Sequence, residues 1–194
     1  MDDLRPATAE LTRLVRGVRD DQLSAPTPCP DYTLGDLLDH VHGLATGFAM
    51  AARKEDMPPG SGPSGDASRL PADWRDGIEH RLTGLADAWA DPGAWEGDTT
   101  IAGFTGPAGL VASIALNEVV VHAWDLSRAS GQSLVVNADT LAGCAGCVAM
   151  LTSDEFAAAR GQAGFAPPVA VPSDASALDR LVATNGRDPA GRLR

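Results

Sequence analysis

The stretch Asn117-Glu118-Val119-Val120-Val121-His122-Ala123-Trp124-Asp125 decides how this chain is read. It lies in an apolar run from Gly109 to Leu126 with no Gly or Pro between its ends. Three ionisable side chains sit in it at spacings of four and three, which a helix gathers onto one stripe. By helical phase the same stripe carries Val111, Ile114 and Val121, so it should face a core. Carboxylates and imidazoles are costly to bury unless they are paired or bound to metal. The stretch therefore predicts a long core helix that carries one side of a metal site.

Outward from this helix the signals remain helical. A first helix is expected from about Thr8 to Leu23, with Leu11, Leu14, Val15 and Val18 on its apolar side. Pro26, Pro28 and Pro30 then forbid helix. Thr33 reads as an N-cap with Asp36 three residues on, opening a second helix to about Arg53. Its apolar face is Leu34, Leu37, Leu38, Val41, Leu44, Ala45 and Phe48. Residues 56–68 have the composition of a flexible loop. A third helix is expected from Ala72 to Trp89, and residues 95–106 are expected to be irregular or weakly extended. The fourth begins near Pro107 and ends at Ala129 or Ser130, with Gly131 as its C-cap. A fifth from Ala138 to Leu151, a short one near 154–159 and a last turn or two over 175–183 follow, with a Gly- and Pro-rich tail at 161–173. Strand signals are almost absent. The expected fold is all-α: a four-helix bundle with extra C-terminal helical segments, a single domain over 1–194. Such bundles often hold metal between facing helices.

The formal net charge of −11 argues against nucleic acid or an anionic membrane as partner. No apolar run reaches transmembrane length without interruption by charge, and MDDLRPATAE lacks a signal-peptide core. Three cysteines suit a reducing cytosol better than a disulfide scaffold, so a cytoplasmic protein is expected.

Glu118 and His122 are one turn apart and can grip one ion. A third ligand should come from a facing helix, and helix two offers His40 and His42. These diverge by about 160° around the helix, and both flank the apolar centre, so phase alone does not choose between them. Two His and one Glu with an open position suit zinc, and the same set can hold nickel or ferrous iron. Against this stands the plainer reading in which His122 is a hydrogen-bonded core residue, Glu118 meets a basic group and Asp125 pairs with Arg128.

Three segments carry a resemblance to a known family. Thr27-Pro28-Cys29-Pro30-Asp31-Tyr32-Thr33-Leu34-Gly35-Asp36-Leu37-Leu38-Asp39-His40, then Asn117 through Gly131, then Leu178-Asp179-Arg180-Leu181 with Gly186-Arg187-Asp188-Pro189, occur in the order found in actinobacterial DinB-like proteins. These are grouped with the N-terminal, metal-binding domain of mycothiol-dependent maleylpyruvate isomerase. The resemblance implies a DinB-like four-helix bundle with a divalent ion, usually zinc, on His40, Glu118 and His122. His42 then falls at the entrance or behind the ligands. Asp125 supports the site or pairs helices rather than binding the ion, and Trp124 is a packing or pocket-wall residue. Tyr32 stands where Trp is common in the family. The isomerase carries a further C-terminal domain that contributes to its active site, and this chain stops at Arg194, so isomerase activity itself is not implied.

Other motifs carry less. Cys144-Ala145-Gly146-Cys147 is expected within a helical run, as two small core thiols. The glycines of 103–109 lack the lysine and preceding strand of a phosphate loop. Ser113 and Ser127 show no nucleophile geometry, and His80 should be solvated. The expected function is a thiol-dependent transferase or isomerase. It would act on a small electrophile, with a divalent metal and a low-molecular-weight thiol such as mycothiol. A metal-dependent hydrolase is one alternative. The other is a non-enzymatic metal- or ligand-binding module with a stress or regulatory role, acting as a homodimer through an exposed helix.

Overall fold

The computed structural model describes residues 3–57, 64–161 and 165–191. Helix α1 spans Arg5–Gly17, α2 Leu34–Ala52, α3 Trp74–Ala90 and α4 Ala108–Ser130. Their main contacts run from α1 to α3, α3 to α2, α2 to α4 and α4 back to α1, which closes a four-helix ring. Leu11, Leu14 and Val15 of α1, Leu37, Leu38 and Val41 of α2, Ile78, Leu82 and Leu85 of α3, and Val111, Ala115 and Val119 of α4 are fully buried. Burying each Leu or Ile contributes about 1.5–3 kcal/mol.

Four short helices follow: α5 (Ala138–Gly143), α6 (Ala145–Leu151), α7 (Asp154–Ala159) and α8 (Ala177–Thr184). Of these, α5, α6 and α8 pack against α4. With the bundle on one side and these on the other, α4 is buried almost all round, which is why its sequence is apolar on every face. It is the one described helix long and apolar enough to cross a membrane, and most of it is enclosed by protein.

The all-α expectation is corrected at 98–107. Strand β1 (Asp98–Ile101) pairs antiparallel with β2 (Phe104–Pro107), Asp98 facing Pro107 and Ile101 facing Phe104. The two linking residues, Ala102 and Gly103, both have positive φ, of 49° and 82°. That is the primed turn that matches the twist of a hairpin. The overlooked signal was the β-branched run Thr99-Thr100-Ile101 ahead of Ala-Gly.

Two helix boundaries also differ. The first helix ends at Gly17, and Val18 is extended; Asp20–Gln22 is a separate 3-10 turn. The Gln132 side chain occupies the space a Cβ on Gly17 would need, and its amide donates to Leu14 O at 2.9 Å. The expected helix 138–151 is broken at Cys144. The Ser113 hydroxyl is inserted there, donating to Gly143 O at 2.7 Å and accepting the Cys147 amide at 3.0 Å. Cys144-x-x-Cys147 therefore opens α6 instead of lying inside a continuous helix. Both thiols are fully buried, and burial pushes the Cys147 thiol far up. Of the expected loop 56–68, residues 58–63 lie outside the described residues, as do 162–164 of the tail; Asp66 caps a 3-10 turn over Ala67–Arg69.

Candidate metal centre

The position of His40 is set from the start of α2. The Thr33 hydroxyl accepts the Asp36 amide at 3.2 Å, and the Asp36 carboxylate accepts the Thr33 amide at 2.9 Å. This reciprocal cap fixes where the helix begins, and His40 follows seven residues, or about two turns, later. Helix α4 supplies Glu118 and His122, and Gly131 ends it in the left-handed conformation at φ 73°.

His40, Glu118 and His122 converge where α2 meets α4. One ligand atom from each lies within 4.8 Å of the other two. His122 Nε2 is 3.3 Å from Glu118 Oε2. The two imidazoles meet edge to face, with centroids 4.8 Å apart and planes at 79°. His122 is buried; His40 and Glu118 are half-buried, so the cluster borders solvent on their side. Two ligands on a tetrahedral ion at about 2.1 Å sit roughly 3.4 Å from each other. The His122–Glu118 pair already has that spacing. Two imidazoles and one carboxylate also form the donor set of an open zinc site, so the residues fit such an ion.

Behind the cluster runs a chain of charges. His122 Nδ1 faces Asp125 Oδ2 at 3.1 Å, and Arg187 donates to Asp125 through Nη2 at 2.9 Å and Nε at 3.2 Å. Asp125 is fully buried, and its basic partner is Arg187 from the segment after α8, not Arg128. Beside this pair, Asn117 and Asn185 exchange amide hydrogen bonds of 2.9 and 3.0 Å, fully buried, and so tie the end of α8 to α4.

Alternating signs along this chain favour the charged form of each group. Burial pulls the His122 pKa down, but Asp125 and Glu118 outweigh it and raise the imidazole to about 9. Burial pushes Glu118 and Asp125 up; hydrogen bonds from His122, with the nearby positive charges, bring both below the ordinary range. Burial likewise opposes the charge on Arg187, and Asp125 restores it. In this arrangement Glu118, His122, Asp125 and Arg187 read minus, plus, minus, plus.

The structure does not bring His42 into the cluster. It is half-buried, and its pKa is lowered by burial and by Arg81 of α3. Trp124 is buried two residues beyond His122, about 160° around α4, with the Arg128 guanidinium 5.9 Å from its ring. His80 is exposed. Two groups at the centre had no role in the sequence reading, Arg187 and the Tyr32 hydroxyl. Asp125 is fully buried while Arg128, the nearest base on its helix, is exposed, so its basic partner had to come from elsewhere in the chain.

The family model of the mycothiol maleylpyruvate isomerase N-terminal domain matches residues 4–127, from the start of α1 through the site-bearing turns of α4. An uncharacterised protein of Mycobacterium tuberculosis, found in two strains, is 28% identical over 183 residues, covering 90% of each chain. The fold is similar to that of two crystal structures, mycothiol-dependent maleylpyruvate isomerase (TM-score 0.58, 21% identity) and a mutant of it (0.60, 22%). Each similarity covers 80% of this chain and 69% of the other. On the extent of the family match, the chain belongs to the mycothiol maleylpyruvate isomerase N-terminal domain family.

Proposed function

We propose that this protein holds a divalent ion, zinc by preference, on His40, Glu118 and His122. We further propose that it serves as a thiol-dependent transferase or isomerase for a small electrophile. A cytosolic low-molecular-weight thiol of the mycothiol kind would be the co-substrate. The observation that carries the reading is the convergence of two imidazoles and a carboxylate within 4.8 Å, with two of the three only partly buried. Family membership supports mycothiol as the thiol.

When bound, the ion supplies Lewis acidity that lowers the pKa of a thiol. The chain's own residues prepare the place. Asp125 holds Nδ1 of His122 and so turns Nε2 toward Glu118. Arg187 balances the Asp125 charge, so the carboxylate stays ionised in the core. His40 and Glu118 form the side open to solvent, from which thiol and electrophile would enter. The segment after α8 supplies Arg187, which is the reason to treat the whole chain as one functional unit.

A binding module without catalysis is the second reading. The charge balance of Glu118, His122, Asp125 and Arg187 favours it, because that line holds together by itself. Cobalt(II)-loaded protein titrated with mycothiol separates the two. A thiolate-to-cobalt absorption band, with conjugation of an electrophile, supports the enzyme. A cobalt spectrum indifferent to thiol overturns it and leaves the binding module.

A further inference from the structure

Tyr32 approaches the cluster from outside the bundle. Its hydroxyl is 3.4 Å from Nδ1 of His40, and the two rings lie 5.2 Å apart at 40°. On its other side the phenol ring lies against the Gly65 backbone. A Cβ built on Gly65 would lie 2.7 Å from Tyr32 Cε1 and 2.7 Å from Asp36 O, so the backbone approaches the ring as closely as only glycine permits.

That approach is fixed by a strap, residues 64–69, tied to the first two turns of α2. The Ala67 amide donates to Asp36 at 2.8 Å and the Asp66 amide to Asp39 at 3.1 Å. Arg69 pairs with Asp39, the residue next to His40, and its guanidinium also reaches Ser64. Strap, phenol and imidazole thus form one connected line.

We infer that Tyr32 is a positioning residue for the His40 arm of the metal centre, held in place by the 64–69 strap. This rests on the metal reading above. Metal-binding imidazoles are oriented by a partner on their second nitrogen. Asp125 is that partner for His122, and the Tyr32 hydroxyl is that partner for His40. His40 would then offer its other nitrogen to the ion. Because a phenol is neutral, Tyr32 itself brings no charge to the site, in contrast to Asp125.

The test compares the full-length wild type with Tyr32→Phe and Gly65→Ala. Zinc affinity is read by chelator competition. Long-range proton–nitrogen NMR of the imidazoles is read in metal-free protein. Tyr32→Phe should weaken zinc binding about 10-fold and shift the His40 ring-nitrogen signals while leaving those of His122 in place. Gly65→Ala, which displaces the ring without removing the hydroxyl, should move the same His40 signals. Unchanged His40 signals in both variants would overturn the proposal whether or not metal binds. If the wild type binds no zinc yet the His40 signals shift, the metal reading fails and the positioning contact stands.

Discussion

Asp125 and Arg187, 62 residues apart, meet in the core through two hydrogen bonds, with the carboxylate fully buried. The pair joins the last described segment to the helix that carries Glu118 and His122. Removing Arg187 leaves the buried Asp125 carboxylate with His122 as its remaining charged partner, and breaking a buried ion pair costs about 3–5 kcal/mol. Arg187→Leu should therefore lower the unfolding free energy by that amount in urea titrations. The double variant Arg187→Leu with Asp125→Asn should recover much of the loss, because no bare charge remains.

A neutral pair lies next to it. Asn117→Ala should strand the Asn185 Oδ1, while its amide nitrogen keeps Leu181 O at 2.9 Å, at a cost of about 1–3 kcal/mol. A double-mutant cycle with Asn185→Ala should show coupling between the two, read as non-additive denaturation midpoints. Additive losses would mean that the reciprocal amide bonds do not hold α8 to α4.

The cap that places His40 is testable on its own. Thr33→Ala removes both hydroxyl contacts to Asp36 and should cost about 1 kcal/mol. Because the loss is at the start of α2, metal affinity should fall with it. Thr33→Ser should keep both properties near the wild-type level.

The pH dependence follows from His122. Its pKa rises from 6.5 to about 9 on folding. The stability this confers on metal-free protein is fully present below pH 6.5 and is lost as pH rises through about 9. Metal needs the neutral ring, so binding expels this proton across the same window. Zinc affinity should climb about tenfold per pH unit between pH 7 and 9. Calorimetry in buffers of different ionisation enthalpy should count about one proton released at pH 7.5. An affinity independent of pH would contradict the protonated His122.

How much of this was legible in the sequence differs from residue to residue. Three long helices were legible from their amphipathic spacing and α4 from its unbroken apolar run, and Thr33 and Gly131 marked ends through purely local chemistry. The Glu118–His122 spacing gave one side of the site, since four residues make one helical turn. Choosing His40 over His42 needed the family resemblance, because both flank the same apolar centre. Arg187 could not be read, because nothing local ties residue 187 to residue 125. The hairpin was masked by its brevity and its glycines. The break at Cys144 depends on a hydroxyl from α4, 30 residues away from the carbonyl that it binds.

Metal stoichiometry most directly tests the central claim. Protein purified without chelator and dialysed against micromolar zinc should retain one ion per chain by elemental analysis. His40→Ala and Glu118→Ala, with wild-type circular dichroism, should retain none. Equal metal content in the wild type and both variants, or no ion in any of them, would contradict the account.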